Sequence, residues 1–215
     1  MQIDIVSDTV CPWCFIGKRR LERALAMRPD IGYDIRWRAY RLDPTIPADG
    51  VDRKQYMEAK FGDNPNRHSM QEALRQAGES ENIAFAFDRI ARSPNTLDSH
   101  RLIRWSAGAG VQNQMVERLF EAYFEDGLDI GNRDVLIEIS DEVGMDSATV
   151  ADLLEQGADR DTIENEDALA HRMGISGVPT FIFNNRYLIS GAHDPENIVQ
   201  IIDKVLELPA AESAD

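Results

Sequence analysis

The chain of 215 residues has two cysteines, Cys11 and Cys14, which enclose Pro12 and Trp13 in the sequence CPWC. Two thiols at this spacing can form a reversible disulfide, act as nucleophiles once ionised, or supply two ligands to a metal ion. A structural disulfide here would close a very small loop, which stabilises a fold by at most about 2 kcal/mol. The chemistry of the protein therefore depends on what surrounds this pair.

The CPWC sequence lies between a predicted strand and a predicted helix. Apolar residues among polar ones predict a strand at 2–7, and an apolar stripe predicts a helix from Pro12 to about Met27. A thiolate at a helix start meets unpaired backbone N–H groups and the positive end of the helix dipole. We expect Cys11 to be an exposed, ionised nucleophile, and Cys14, one turn further on, to be shielded and to resolve the mixed disulfide.

A metal site or a pair of inert core thiols explains the two cysteines less well. Zinc needs two further ligands, and the four histidines are scattered along the chain, at positions 68, 100, 171 and 193. Inert core thiols have no reason to lie at the mouth of a helix. We therefore predict a redox-active Cys11–Cys14 disulfide that needs no metal and no bound cofactor.

The rest of the chain places a helical block between two short α/β segments. A second strand is predicted at 33–42, and a hairpin around Asn184–Asn185 precedes a helix from Pro195 to about Leu206. Helical patterns cover 51–61, 67–78, 97–107, 112–125, 133–143, 147–156 and 159–173. Alternation also predicts a strand at 83–87. The resulting order, β-α-β, helical block, β-β-α, predicts an α/β fold.

The two outer segments are each too small to bury a sheet alone. We expect them to pair into one discontinuous α/β domain of residues 1–44 and 174–208. The helical insertion domain then spans 45–173, and 209–215 form a frayed C-terminal tail.

Composition excludes several classes of partner. The net charge of −15 disfavours nucleic acid and an anionic membrane surface, because both recruit clustered Lys and Arg. No apolar run approaches the roughly 20 residues of a membrane helix. Asp4 precedes any hydrophobic region of a secretory signal, and no basic segment comes before it. We therefore expect a cytoplasmic protein, whose ordinary thiols are kept reduced.

Two features near the cysteines have more than one interpretation. Asp8, three residues before Cys11, is expected to be a solvated carboxylate at the strand end, with a proton acceptor for Cys14 as the alternative. Val178–Pro179 precedes the returning strand. This X–Pro bond is either the ordinary start of an edge strand or a cis peptide at a specified turn.

Five stretches in order along nearly the whole chain carry a family resemblance. They are SDTVCPWCFIGKRRLE, WRAYRLDP, SPNTLDSHRLIRW, GISGVPTFIF and SGAHDPENI. Together they resemble the DsbA family of thioredoxin-fold oxidoreductases, and within it the FrnE-like subgroup. The resemblance implies a thioredoxin-like fold interrupted by a large all-helical insertion. It also implies that Pro179 is cis and faces the cysteines, with Val178 backbone groups available to a substrate strand.

The same resemblance assigns residues of the insertion to a substrate groove. The family's NTxxAHR stretch falls on Asn95, Thr96, His100 and Arg101, with Ser99 in place of the usual Ala. The resemblance implies that Asn95, Thr96 and His100 face the active site. By residue type alone, Asn95 and Thr96 can equally cap the helix that follows them.

These observations favour a thiol–disulfide oxidoreductase or isomerase acting on protein or small-molecule thiols and disulfides, with glutathione as a candidate co-substrate. One alternative is a glutathione-dependent isomerase or transferase. The kappa-class glutathione transferases and hydroxychromene-carboxylate isomerases resemble this architecture but have Ser where Cys11 stands. A further alternative is a chaperone-like module that binds unfolded chains without redox chemistry.

Overall fold

The computed structural model describes residues 1–62, 64 and 67–208, so the predicted frayed tail at 209–215 lies outside the described residues. The strands are β1 (Gln2–Ser7), β2 (Asp34–Ala39), β3 (Val51–Asp52), β4 (Arg92–Ser93), β5 (Thr180–Phe183) and β6 (Tyr187–Ser190). The helices are α1 (Pro12–Ala26), α2 (Arg53–Phe61), α3 (Arg67–Ser80), α4 (Leu97–Gly108), α5 (Gln112–Phe124), α6 (Arg133–Glu142), α7 (Ser147–Glu155), α8 (Arg160–Arg172) and α9 (Pro195–Glu207).

The main sheet joins the two ends of the chain. Its strand order is β2-β1-β5-β6, with β1 parallel to β2 and antiparallel to β5. Ile3 pairs with Phe183 and Ile5 with Phe181, and all four side chains are buried. The expected order of elements, β-α-β, helices, β-β-α, is therefore observed, with the helical segments inserted between β2 and β5.

Helix α1, which carries the cysteines, is anchored to the helical segment by stacking and by a buried cation. The ring of Phe15 stacks on Phe120 of α5, with 5.1 Å between centroids. The buried Lys18 Nζ lies 2.6 Å from Glu22 Oε1 and 2.5 Å from Glu117 Oε2 of α5. A buried charge is tolerated only when it is paired in this way. These contacts place the sheet, α1 and α5 around one continuous core.

The helices between 51 and 173 begin and end close to the predicted positions, with differences of at most two residues. Helices α6 and α7 are among those that start at a side chain that caps the helix. Asn132 accepts a hydrogen bond from the Asp134 N–H at 2.8 Å, and Asp146 accepts one from the Thr149 N–H at 2.6 Å. Each cap satisfies an N–H group that the first helical turn leaves unpaired.

The predicted strand at 83–87 is wrong. The segment is irregular and leads into a 3-10 turn at Phe87–Arg89. The Ala86 N–H donates to the Phe124 carbonyl at 2.7 Å, and the Phe85 ring meets the Phe124 ring edge-on, with centroids 5.5 Å apart. The alternation of apolar residues therefore reflects packing against α5 and not pairing with a strand.

Two further differences concern short strands. Strand β2 ends at Ala39, three residues before the predicted end at 42, because the chain turns there towards the cysteine loop. Val51 pairs with Ser93 in a two-residue antiparallel ladder that the sequence analysis did not predict. Segments of two residues are too short to show a periodic pattern.

Arg101, in the middle of α4, is fully buried and connects three parts of the chain. Its guanidinium donates to the Leu153 carbonyl at 2.6 Å, to the Ala158 carbonyl at 2.5 Å and to the Asp98 carboxylate at 2.7 Å. The Leu153 carbonyl lies in the last turn of α7 and the Ala158 carbonyl in the turn that follows it, so one side chain fastens α4 to the junction between α7 and α8.

We expect Arg101→Leu to lower the free energy of unfolding by about 2–4 kcal/mol, because it removes the donor from two carbonyls and from the partly buried Asp98 carboxylate. The control is Arg104→Leu, one turn along the same helix, where the side chain is 43% exposed and its ion pairs are long. That change should cost less than about 1 kcal/mol. Urea unfolding followed by circular dichroism measures both, and equal losses would contradict the assignment.

Candidate active site

The two cysteines lie in the first turn of α1. Cys11 is the N-cap residue, with extended backbone angles, and Pro12 takes the first helical position. The Cys14 N–H donates to the Cys11 carbonyl at 3.0 Å, and the Cys11 N–H donates to the Asp8 carbonyl at 3.0 Å. Residues three apart in a helical turn share one face. The turn therefore presents both thiols, which are unbonded to each other here, on the same side of α1.

The expected exposure of Cys11 is wrong for this structure, since only 5% of the residue is accessible, against 1% for Cys14. The segment around Val178 covers it, and the Cys11 thiol donates to the Val178 carbonyl with a separation of 3.6 Å from Sγ to oxygen. Trp13 points outward and is 39% exposed. The contact with Val178 therefore covers the Cys11 sulfur, while the neighbouring Trp13 side chain is open to solvent.

The covering loop is held by its own hydrogen bonds. The Val178–Pro179 peptide bond is cis, and Pro179 is buried. The Pro179 carbonyl accepts from the Gly191 N–H at 2.8 Å, and the Thr180 hydroxyl donates to the Gly177 carbonyl at 2.8 Å. The loop therefore presents the Val178 carbonyl to Cys11 from a fixed position at the start of β5.

The surroundings of Cys14 favour its protonated form. Burial raises the pKa of the Cys14 thiol well above its ordinary value, and a hydrogen bond with Cys11 and the charge of Cys11 act in the same direction. Hydrogen bonds from the Ser7 side chain and the Asp8 backbone oppose this effect but do not cancel it. Cys14 therefore keeps its proton at pH values at which an ordinary cysteine begins to ionise.

Asp8 is buried and is not the solvated carboxylate that we expected, since 1% of it is accessible. Its Oδ2 accepts from the Leu42 N–H at 2.7 Å. Its Oδ1 has no hydrogen bond and lies 3.4 Å from His100 Nε2, which is itself 3.2 Å from the Tyr40 carbonyl. One side chain thus links the cysteine turn, the end of β2 and helix α4. No sequence pattern signals this burial, because it depends on two segments far away in the chain.

The side chains predicted for a substrate groove face the protein interior. Asn95 caps α4 by accepting from the Leu97 N–H at 3.0 Å, and it donates to the Ile46 carbonyl at 2.6 Å. Thr96 is 5% exposed and His100 is 3% exposed. This burial argues against direct contact of Thr96 and His100 with a substrate, and the capping alternative holds for Asn95.

A cavity of about 460 Å³ lies along the outer edge of β2, between that strand and helices α4 and α5. Neither cysteine lines it, but Ser7, Thr9 and His100 do, so it lies behind the cysteine turn. Over the described ranges 1–62, 64 and 67–208, no cluster of three or more His, Cys, Asp or Glu residues has a metal-binding arrangement. No helix in the same ranges has the length and apolar character to span a membrane.

Comparison with known proteins agrees with this architecture. The model of the DSBA-like thioredoxin domain matches residues 2–203. The uncharacterized protein YwbO of Bacillus subtilis (strain 168) is 27% identical over 195 residues, which cover 89% of this chain and 90% of YwbO. The crystal structure of a probable DsbA oxidoreductase from Streptomyces coelicolor is 26% identical, with a TM-score of 0.88 over 100% of this chain and 94% of that one.

A more distant structure shares the fold alone. It is the cytosolic disulfide reductase DsbM from Pseudomonas aeruginosa with GSH, which is 19% identical, with a TM-score of 0.69 over 97% of this chain and 100% of that one. The predicted thioredoxin-like α/β fold with a helical insertion is thereby confirmed. The match over almost the whole length shows that this chain belongs to the family of DSBA-like thioredoxin domains.

Proposed function

We propose that the protein is a thiol–disulfide oxidoreductase in which Cys11 is the nucleophile and Cys14 the resolving thiol. The observation that carries this proposal is the difference between two thiols in one helical turn. Cys11 lies at the N-cap, where the N–H groups and the dipole of α1 stabilise a thiolate. Cys14 lies deeper, and its raised pKa keeps it protonated. Cys11 is thus suited to attack a disulfide first, and Cys14 to react after it.

The exchange then proceeds in two balanced steps. The Cys11 thiolate attacks a partner disulfide, so that a bond from Cys11 Sγ to one partner sulfur forms and the other partner sulfur leaves as a thiolate. Cys14 then loses its proton and attacks Cys11 Sγ. The Cys11–Cys14 disulfide forms, the mixed disulfide breaks, and the second partner thiolate leaves. The partner gains two electrons and the protein loses two; the reverse sequence oxidises a dithiol.

Protein and small-molecule disulfides are both suitable partners for this site. The exposed Trp13 offers an apolar contact beside Cys11, and the Val178 main chain lies across from it, where an extended substrate segment can approach. The structure of the related fold of DsbM with GSH supports glutathione as one small partner of this chain. We accordingly assign the redox-active disulfide, without a further cofactor, as the reacting group, and a reducing compartment such as the cytoplasm as its setting.

The glutathione-dependent isomerase remains the competing function. Its resemblance to this chain rests on architecture, whereas the intact CPWC sequence favours the oxidoreductase. A chaperone-like function needs a binding surface but neither thiol. Replacement of Cys11 by serine separates the oxidoreductase from the other two functions, because it removes only the chemistry that the oxidoreductase needs.

The unequal reactivity of the two thiols can be measured directly. At pH 7 we expect iodoacetamide to modify Cys14 in the Cys11→Ser variant at least about 100-fold more slowly than it modifies Cys11 in Cys14→Ser. Burial, the main cause of the raised pKa of Cys14, persists when Cys11 is replaced. The rate at Cys14 should therefore rise at higher pH than the rate at an ordinary cysteine, since a raised pKa extends the thiol form to higher pH.

Mass spectrometry of the intact protein measures both rates. As a control, both variants are alkylated in concentrated guanidinium chloride, where the two cysteines should react equally because the fold no longer distinguishes them. Equal rates in the folded protein would remove the distinction between the two thiols, and a faster reaction at Cys14 would reverse the assigned roles.

The redox reaction itself can be followed at equilibrium. In glutathione buffers the Cys11–Cys14 pair should show one two-electron transition between dithiol and disulfide, measured by thiol alkylation and mass. A midpoint near about −200 mV or above favours reduction or isomerisation of partners in the cytosol, whereas one near about −270 mV resembles that of thioredoxin. Cys14→Ser should accumulate a mixed disulfide with glutathione, and Cys11→Ser should form none.

Two outcomes would overturn the proposal. The first is the absence of an intramolecular disulfide at any buffer potential, which would favour the glutathione-dependent isomerase. The second is disulfide reductase activity that survives Cys11→Ser. Suppression of aggregation of an unfolded client that is equal in wild type and Cys11→Ser would point to the chaperone-like function.

A further inference from the structure

Helix α1 contains a glycine, Gly17, at a position that helix propensity does not favour. Glycine in a helix interior destabilises the helix relative to alanine. Gly17 is buried, and it is not among the glycines with positive φ, so the backbone conformation itself does not demand glycine. Its presence therefore needs another physical reason.

That reason is a close approach of the proline loop. A Cβ placed on Gly17 would lie 2.8 Å from Pro179 Cγ and 3.2 Å from Phe181 Cζ. The optimal van der Waals separation of non-bonded carbon atoms is about 3.5–4.0 Å. Any larger residue at position 17 would thus push the Pro179 ring outward or force α1 away from the loop.

The same contact is linked to the reacting thiol. Cys14 lies three residues after Cys11 and three residues before Gly17, so Cys14 neighbours both of them along the first two turns of α1. The loop that touches Gly17 through Pro179 reaches Cys11 through the neighbouring Val178 carbonyl, 3.6 Å from Sγ. The depth at which the loop settles on the helix therefore sets the distance between that carbonyl and the thiol.

We propose that Gly17 is a positioning residue, which lets the 178–179 loop seat on α1 and so fixes the Val178 carbonyl against the Cys11 thiol. The carbonyl accepts the thiol proton and presents its negative end to the sulfur, so it favours the thiol over the thiolate. When the loop is displaced, the carbonyl no longer favours the thiol form of Cys11. The inference relies on the proposed function only in naming Cys11 as the nucleophile.

The test measures how the alkylation rate of Cys11 depends on pH, in proteins that carry Cys14→Ser so that a single thiol reports. With Gly17→Ala we expect the midpoint of the profile to move to lower pH by at least about half a unit, which is about threefold in thiolate fraction. The matched control is Gly108→Ala in α4, where a Cβ meets nothing within 4 Å and the midpoint should stay unchanged.

A second comparison tests whether the effect passes through the proline ring. In Pro179→Ala proteins the Cγ atom at 2.8 Å is absent, so adding Gly17→Ala should move the midpoint less than half as far as it does beside proline. If Gly17→Ala does not fold, the double variant should fold as Pro179→Ala does, because the clash is relieved.

The proposal is overturned if Gly17→Ala leaves the midpoint where Gly108→Ala leaves it, or moves it to higher pH. It is equally overturned if the shift is undiminished in the Pro179→Ala background, or if the double variant fails to fold where Pro179→Ala folds. Because all proteins here lack Cys14, these results do not depend on whether the Cys11–Cys14 disulfide forms. The role of Gly17 is thus decided by these experiments even if the redox titration shows no Cys11–Cys14 disulfide.

Discussion

The antiparallel pairing of β1 with β5 is the constraint on which the active site depends. Cys11 follows β1 and Pro179 precedes β5. Because the two strands are antiparallel, both residues lie at the same end of this strand pair. The register, in which Val6 lies opposite Thr180, sets the Val178 carbonyl beside the Cys11 thiol. A shift of one residue would turn every β5 side chain to the opposite face and separate these groups.

The chemistry of the pair arises from unequal environments within one helical turn. Two identical side chains differ because one meets the N-terminal end of α1 and the Val178 carbonyl, while the other is enclosed by the core. Enclosure raises the pKa of the Cys14 thiol. The packing of the protein interior, more than the reactivity of cysteine as such, thus distinguishes the two thiols.

The helical insertion supports the site without supplying its reacting groups. Phe120 and Glu117 of α5 hold α1 in place, and Arg101 of α4 locks the neighbouring helices together. The buried Asp8, with His100 close by, joins the cysteine turn to this framework. The insertion therefore acts on the cysteines through rigidity, because its polar residues near them are directed inward.

The sequence alone determined the features that depend on neighbours a few positions apart. These are the CPWC spacing at a strand-to-helix turn, the helix periods, and the hairpin at Asn184–Asn185, where both residues have positive φ. Tertiary structure alone decided the burial of Cys11 and Asp8, the irregular path of 83–87, and the approach of Pro179 to Gly17. Each of these depends on contacts between segments distant in the chain, and the pattern of a single segment carries no information about which distant segment will cover it.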